Sequence, residues 1–174
     1  LGDLGGQGSW AYDVNDAGII VGVVTRRNDY QNFAYVYNTQ TATGAVLPLP
    51  PGFLQSSAYA VGNVAGGIVH VAGVVQPCSD WSCDAGRGIR WTVDINSLQV
   101  TAEVLEQMAW AECVTAQGAV AGTHNSERNR RGAITQTAVL WSQRLGYVSL
   151  KPTSGSDSTS RGMAAGSNGI TFVV

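Results

Sequence analysis

Short apolar runs alternate with glycine-rich polar turns along the whole chain, and no stretch shows the period of an amphipathic helix. The best helical candidate, Ala102 to Met108, would make one or two turns. The runs fall into blocks that recur in one order. Ser9-Trp-Ala11-Tyr-Asp-Val14-Asn-Asp-Ala-Gly18-Ile-Ile-Val-Gly22 has the Ala, Val, Gly, Gly spacing of Ala109-Trp-Ala111-Glu-Cys-Val114-Thr-Ala-Gln-Gly118-Ala-Val-Ala-Gly122. Ser56-Ser-Ala58-Tyr-Ala-Val61 opens in the same way and reaches Gly73 after four extra residues. Ser160-Arg-Gly162-Met-Ala-Ala165 opens a fourth copy, and the anchors Ala11, Ala58, Ala111 and Gly162 stand 47, 53 and 51 residues apart.

A second block, a small residue three positions before an aromatic one, appears as Ala34-Tyr-Val-Tyr37, Gly88-Ile-Arg-Trp91 and Ala138-Val-Leu-Trp141. A third follows at Val46-Leu47, Val104-Leu105 and Val148-Ser-Leu150. Each copy therefore predicts four short strands. The first runs from the Ser/Ala anchor to the Val, a turn such as Asn15-Asp16-Ala17-Gly18 leads into an apolar second, a variable loop leads to the aromatic third, and another turn to the Leu-bearing fourth.

Four strands in roughly fifty residues match a β-propeller blade, for which about 40–50 residues is typical. Stacking such sheets hides apolar faces that a lone sheet leaves open. The small anchors mark the first strand as the innermost, where sheets converge. A β-sandwich and a β-solenoid are the competing architectures. The expectation is an all-β, propeller-like tandem of four-stranded antiparallel blades within a single repeat domain, three full and one partial. Its units are 7–52, 53–107 and 108–155, with 156–174 as the partial fourth and 1–6 as the tail of a preceding one. A closed propeller takes about four to eight blades. A fragment, an open arc, or a ring completed by a second copy or by the remainder of a longer chain is therefore implied. Leu1 opens the chain without an initiator methionine, which reads as processing or as a piece of a longer polypeptide.

Composition sharpens the picture in two ways. Only 13% of residues are charged and 22 of 174 are glycine, so turns are many and polarity rests on uncharged side chains, as in secreted β proteins. A net charge of −2 gives no global attraction to nucleic acid or to an anionic membrane. No apolar run approaches the roughly 18 residues of a membrane-spanning helix. Of three cysteines, Cys78 and Cys83 flank a short polar turn suited to a local disulfide, while Cys113 sits in an apolar strand pattern as a buried thiol.

Leu1-Gly-Asp-Leu-Gly-Gly6, followed by Ser9-x-Ala11-x-x-Val14-Asn15-Asp16-x-Gly18-x-x-Val21-Gly22 and later by Phe33-Ala34-Tyr-Val-Tyr37, resembles the HAF family of probable extracellular repeats. The first copy matches closely, the third moderately, and the second and fourth loosely. The resemblance implies a bacterial, exported, propeller-like protein, and it carries over no catalytic residue.

Catalytic and metal motifs are absent from the sequence. His70 lies in an alternating strand pattern and His124 in the polar stretch Thr123–Arg128, which reads as a loop; neither has a second ligand at metal spacing. A calcium loop opening at Asp13 would need ligands at its fifth and twelfth positions, which hold Ala17 and Val24, so Asp13 to Gly18 reads as a hairpin turn. No cofactor is called for. Six of the ten basic residues fall in one class of loop, between second and third strands: Arg26 and Arg27, Arg87, and Arg128, Arg130 and Arg131, with Tyr30 and Trp81 among them. Arginines interleaved with aromatics suit an anionic polysaccharide or an acidic protein surface. The leading expectation is a non-catalytic binding or scaffold module. One competing function is a carbohydrate-active enzyme using Asp29, Asp80, Asp84 and Glu127 from the same loops. The other is an assembly protein pairing through open edges at Leu1–Gly6 or Ile170–Val174.

Overall fold

The structure, a computed structural model, describes residues 7–28, 30–79, 86–97, 99–128, 134–150, 163–166 and 169–172. Among them all regular structure is β, arranged as three four-stranded antiparallel sheets in which each strand pairs with its neighbours in the chain. The first sheet holds β1 (Gly8–Val14), β2 (Ile19–Thr25), β3 (Asn32–Asn38) and β4 (Thr43–Val46). The second holds β5 (Gln55–Val61), β6 (Ile68–Gln76), β7 (Arg87–Asp94) and β8 (Val100–Leu105). The third holds β9 (Trp110–Val114), β10 (Val120–Arg128), β11 (Ile134–Ser142) and β12 (Gly146–Leu150). A two-stranded hairpin, β13 (Met163–Gly166) and β14 (Gly169–Phe172), follows.

The repeated glycines have a steric cause. In each sheet the anchor alanine faces a glycine on the second strand: Ala11 with Gly22, Ala58 with Gly73, Ala111 with Gly122. Directly after it the register shifts, so two residues of the first strand stand against one of the second, a β-bulge. The kinked strand brings its carbonyls in close. A Cβ added at Gly22, Gly73 or Gly122 would collide with the carbonyl oxygen of Trp10, Ser57 or Trp110 respectively. The sequence repeat is thus a repeat of backbone geometry.

The turns follow from equally local chemistry. Gly18 (φ 73°) donates its N–H to the Asn15 carbonyl at 3.0 Å, and Asn15 Oδ1 accepts from the N–H groups of Ala17 and Ile19. In the third sheet Gly118 (φ 77°) and Thr115 take these parts, with Thr115 Oγ1 accepting from Ala119.

Consecutive sheets pack face to face. β5 lies against β2 and β3, β9 against β6 and β7, and the first strands β1, β5 and β9 run side by side with β13 next to β9. Between the first and second sheets the core includes Val21, Ala34, Leu47, Val71, Ile89 and Trp91; between the second and third it includes Ala72, Leu105, Met108, Val120, Val139 and Trp141. Backbone groups at the junctions find partners across it. Val61 N–H donates to Asp13 Oδ2 at 2.8 Å, Asn15 Nδ2 donates to the Gly62 carbonyl at 2.8 Å, and Ala34 N–H donates to Ser56 Oγ at 2.8 Å. At the next junction Gly88 N–H donates instead to the Met108 carbonyl at 2.6 Å.

Ala102 to Met108, the weak helical candidate, is strand β8 followed by a turn, with Val104 and Leu105 on the fourth strand as expected. One expectation is corrected. Thr123–Arg128 is not a loop but the end of β10, which stays paired with β11 through a second bulge as far as Arg128 and Ile134. A polar run is compatible with a paired strand, so its composition did not fix the backbone. The anchors also divide: Ala58 and Ala111 are fully buried, whereas Ala11 is exposed, since among the described residues no sheet precedes β1.

Arg90 staples the second sheet to the third. Its guanidinium donates to the Gly118 carbonyl at 3.0 Å, pairs with Glu103 at 2.7 Å and lies 4.5 Å from the centroid of the Trp141 ring. His70, beside the same turn, hydrogen-bonds Thr92 Oγ1 through Nδ1 at 3.1 Å. Burial, and then the Arg90 charge, hold the His70 imidazole below its ordinary pKa of 6.5. A histidine depressed on folding favours the folded state fully above its unfolded pKa, and that contribution is lost as pH falls through the folded value. Urea denaturation between about pH 8 and about pH 5 is expected to show stability falling below pH 6.5, and His70→Gln is expected to flatten that part of the profile. An unchanged profile would place the acid sensitivity elsewhere.

Candidate functional site

Up-and-down strand order sends every second-to-third-strand loop, and every connection to the next sheet, to one edge of its sheet. The first two sheets are aligned at that edge by Gln55, which is wholly buried. Its Oε1 accepts from Asn32 N–H at 3.2 Å and its Nε2 donates to the Cys78 carbonyl at 3.0 Å, so one side chain ties the loop of the first sheet to that of the second. At the opposite edge Asn63 Nδ2 donates to Asp16 Oδ2 at 2.7 Å.

Of the residues singled out in sequence, Arg26, Arg27 and Tyr30 lie in the β2–β3 loop, Arg87 opens β7 and Arg128 ends β10. All five therefore belong to the loop edge, but Arg87 and Arg128 are strand termini and not loop residues. Trp81, Arg130 and Arg131 lie outside the described residues, as do Asp29, Asp80 and Asp84; Glu127 lies on β10. Arg26 donates to Gln31 Oε1 at 2.8 Å and stands 5.0 Å from the Phe33 ring centroid. Tyr30 adopts a left-handed backbone (φ 57°) and is 67% exposed, which holds its ring out into solvent. Cys78 is disulfide-bonded, its expected partner Cys83 lies outside the described residues, and Cys113 is a buried thiol.

Between the second and third sheets the loop edge opens into a polar cleft of about 230 Å³. Gly86 and Arg87 form one wall, Glu106, Gln107 and Met108 of the β8–β9 connection another, and His124 of β10 a third. Arg87 Nε lies 3.6 Å from Glu106 Oε2, and an Arg87 guanidinium N–H donates to the Gly86 carbonyl at 3.0 Å. Tyr147 of β12 packs against the core between these sheets, and burial raises its pKa. Sequence reasoning did not find the cleft, since Glu106 and Gln107 carry no motif.

A second feature was also missed. Tyr12 and Tyr59, at the bulges of adjacent first strands, lie with ring centroids 5.4 Å apart, and Trp110 follows 6.0 Å from Tyr59. Burial pushes the Tyr59 hydroxyl up to about 12. Aromatic residues beside the anchors Ala11, Ala58 and Ala111 were the available signal. Among the described residues no group of three or more His, Cys, Asp or Glu side chains is placed to hold a metal ion, and no helix is long and apolar enough to cross a membrane. No protein-family model, curated protein or solved structure matches the chain.

Proposed function

We propose that the chain is an arc of a β-propeller from an exported protein, and that it serves as a non-catalytic binding module whose loop edge takes a polysaccharide or protein partner. Face-to-face stacking of successive four-stranded sheets, with their first strands side by side, supports the propeller reading. The disulfide at Cys78 suits an oxidising compartment, in keeping with the HAF resemblance. The observation that carries the binding reading is Gln55, whose buried amide holds neighbouring loops at the edge to which Arg26, Arg27, Arg87 and Arg128 belong. Guanidinium groups there offer bidentate donors to carboxylates or sulfates. Native gels containing polygalacturonate or a sulfated glycan test it. Retardation is expected for the intact protein, and its loss for Arg26→Ala/Arg27→Ala and for Arg128→Ala/Arg130→Ala/Arg131→Ala at unchanged thermal midpoint. Retardation that survives both variants removes the arginine edge as the binding surface.

A further inference from the structure

The two junctions between sheets differ at one place. In the first junction the Gln55 side chain crosses the gap at the loop edge, and Val75, two residues after Gly73, is fully buried in the core. In the second junction the register positions matching these are Met108, three before Ala111, and His124, two after Gly122. Met108 packs over Gly88 of the second sheet and Gly122 of the third, where added Cβ atoms would meet its side chain at 3.0 and 2.7 Å, so it bridges this junction by apolar contact and supplies no side-chain amide there. His124 is exposed where the second sheet buries valine and the first holds Val24 at 5% exposure. The repeat thus closes this place with a buried amide and a valine once, and once with a methionine alone, leaving the polar cleft beside the exposed His124.

The walls of the cleft select the chemistry of an occupant. Arg87 and Glu106 stand side by side and cancel in charge, so donor N–H groups and acceptor carboxylate oxygens are offered together. An anion would meet the Glu106 carboxylate, and an apolar group would strip water from these walls without replacing its hydrogen bonds. A polyol satisfies donors and acceptors at once. Behind Gly86, Gln76 holds a buried Oε1 with no hydrogen-bond partner among the described residues. Such an atom marks a place completed by water or by a ligand. The volume accommodates one sugar ring.

We propose that the cleft between the second and third sheets binds one neutral pyranose residue of a glycan, with Arg87 and Glu106 holding a vicinal pair of its hydroxyls and His124 contacting the ring's remaining polar groups. This rests on the reading of the loop edge as a binding surface.

Affinity electrophoresis of the 174-residue chain in gels holding a neutral β-glucan, a mannan or a galactan, beside polygalacturonate, tests it. Retardation by at least one neutral polymer is expected. His124→Val and Met108→Gln install residues the fold already uses at the first junction, and each is expected to weaken that retardation about tenfold or more. Glu106→Ala, at a side chain 76% exposed, is expected to do the same without moving the thermal midpoint, so the proposal stays testable even if a junction variant misfolds. Arg144→Ala, in the exposed β11–β12 turn at the opposite edge, is expected to leave it unchanged. No neutral retardation, or retardation indifferent to Glu106→Ala, overturns the proposal. Retardation by polygalacturonate alone, lost in the Arg26/Arg27 variant, would overturn the cleft and leave the arginine edge standing. Retardation by no polymer overturns both.

Discussion

Gly73→Val is expected to destabilise the protein by about 3 kcal/mol or more, among the largest effects of any single substitution. Gly73 lies in the central strand pair of the middle sheet, and the first Cβ atom placed on it would enter the Ser57 carbonyl. A side chain can turn away from a side chain, but here the obstacle is backbone. β5 would have to move, and it is clamped between β2 and β3 on one side and β9 on the other. Its bulge also positions Val61 N–H for the Asp13 carboxylate and Ser56 Oγ for Ala34 N–H, so displacement breaks the junction as well. Gly22→Val makes the same collision with the Trp10 carbonyl, but β1 is exposed over most of its length and has room to shift. Its cost is expected to be smaller, about 1–2 kcal/mol. Urea denaturation of both variants gives the comparison. Equal costs would show that the bulge itself, and not its confinement, sets the penalty.

That contrast also explains why the repeat was legible. The glycines recur because the bulged strand's carbonyl leaves no room for a Cβ at the facing position, and a steric demand of that kind leaves a residue-specific mark in the chain. The strand order followed from turn chemistry at Asn15–Gly18 and its counterparts. What could not be read was anything fixed by a neighbouring sheet. Ala11 and Ala58 are the same residue in the same register, yet one is exposed and the other buried, and only the sheet beside them decides it. The run Thr123–Arg128 misled because polar composition does not fix conformation, whereas pairing with β11 does. Strand order alone assigns Arg26, Arg27, Arg87 and Arg128 to one edge. The cleft was out of reach, because Met108 and His124 acquire meaning only when set against Gln55 and Val75 at the sister junction.

The repeat also ranks its own aromatic residues. Trp91→Ala is expected to cost about 3–5 kcal/mol, since it empties the centre of the first junction. Trp91 is wholly buried and its Nε1 donates at 2.9 Å to the Pro48 carbonyl in the β4–β5 connection, so the ring both fills the core and holds the link between sheets. Trp91→Phe keeps most of the packing but leaves that carbonyl without its donor, for about 1–2 kcal/mol. Trp141 holds the matching position one sheet on, where the Arg90 guanidinium covers its ring and 8% of its surface stays accessible. Tyr37 holds it one sheet back and is only partly buried. The losses on replacement by alanine are therefore expected to fall in the order Trp91, Trp141, Tyr37, measured as unfolding free energies in urea. The ordering follows from which side of each sheet is covered, because the three residues share one place in the repeat and differ chiefly in their neighbours. A Tyr37→Ala cost equal to that of Trp91→Ala would mean that β3 is buried in solution by a surface beyond the first sheet, as a preceding blade or a second copy of the chain would provide.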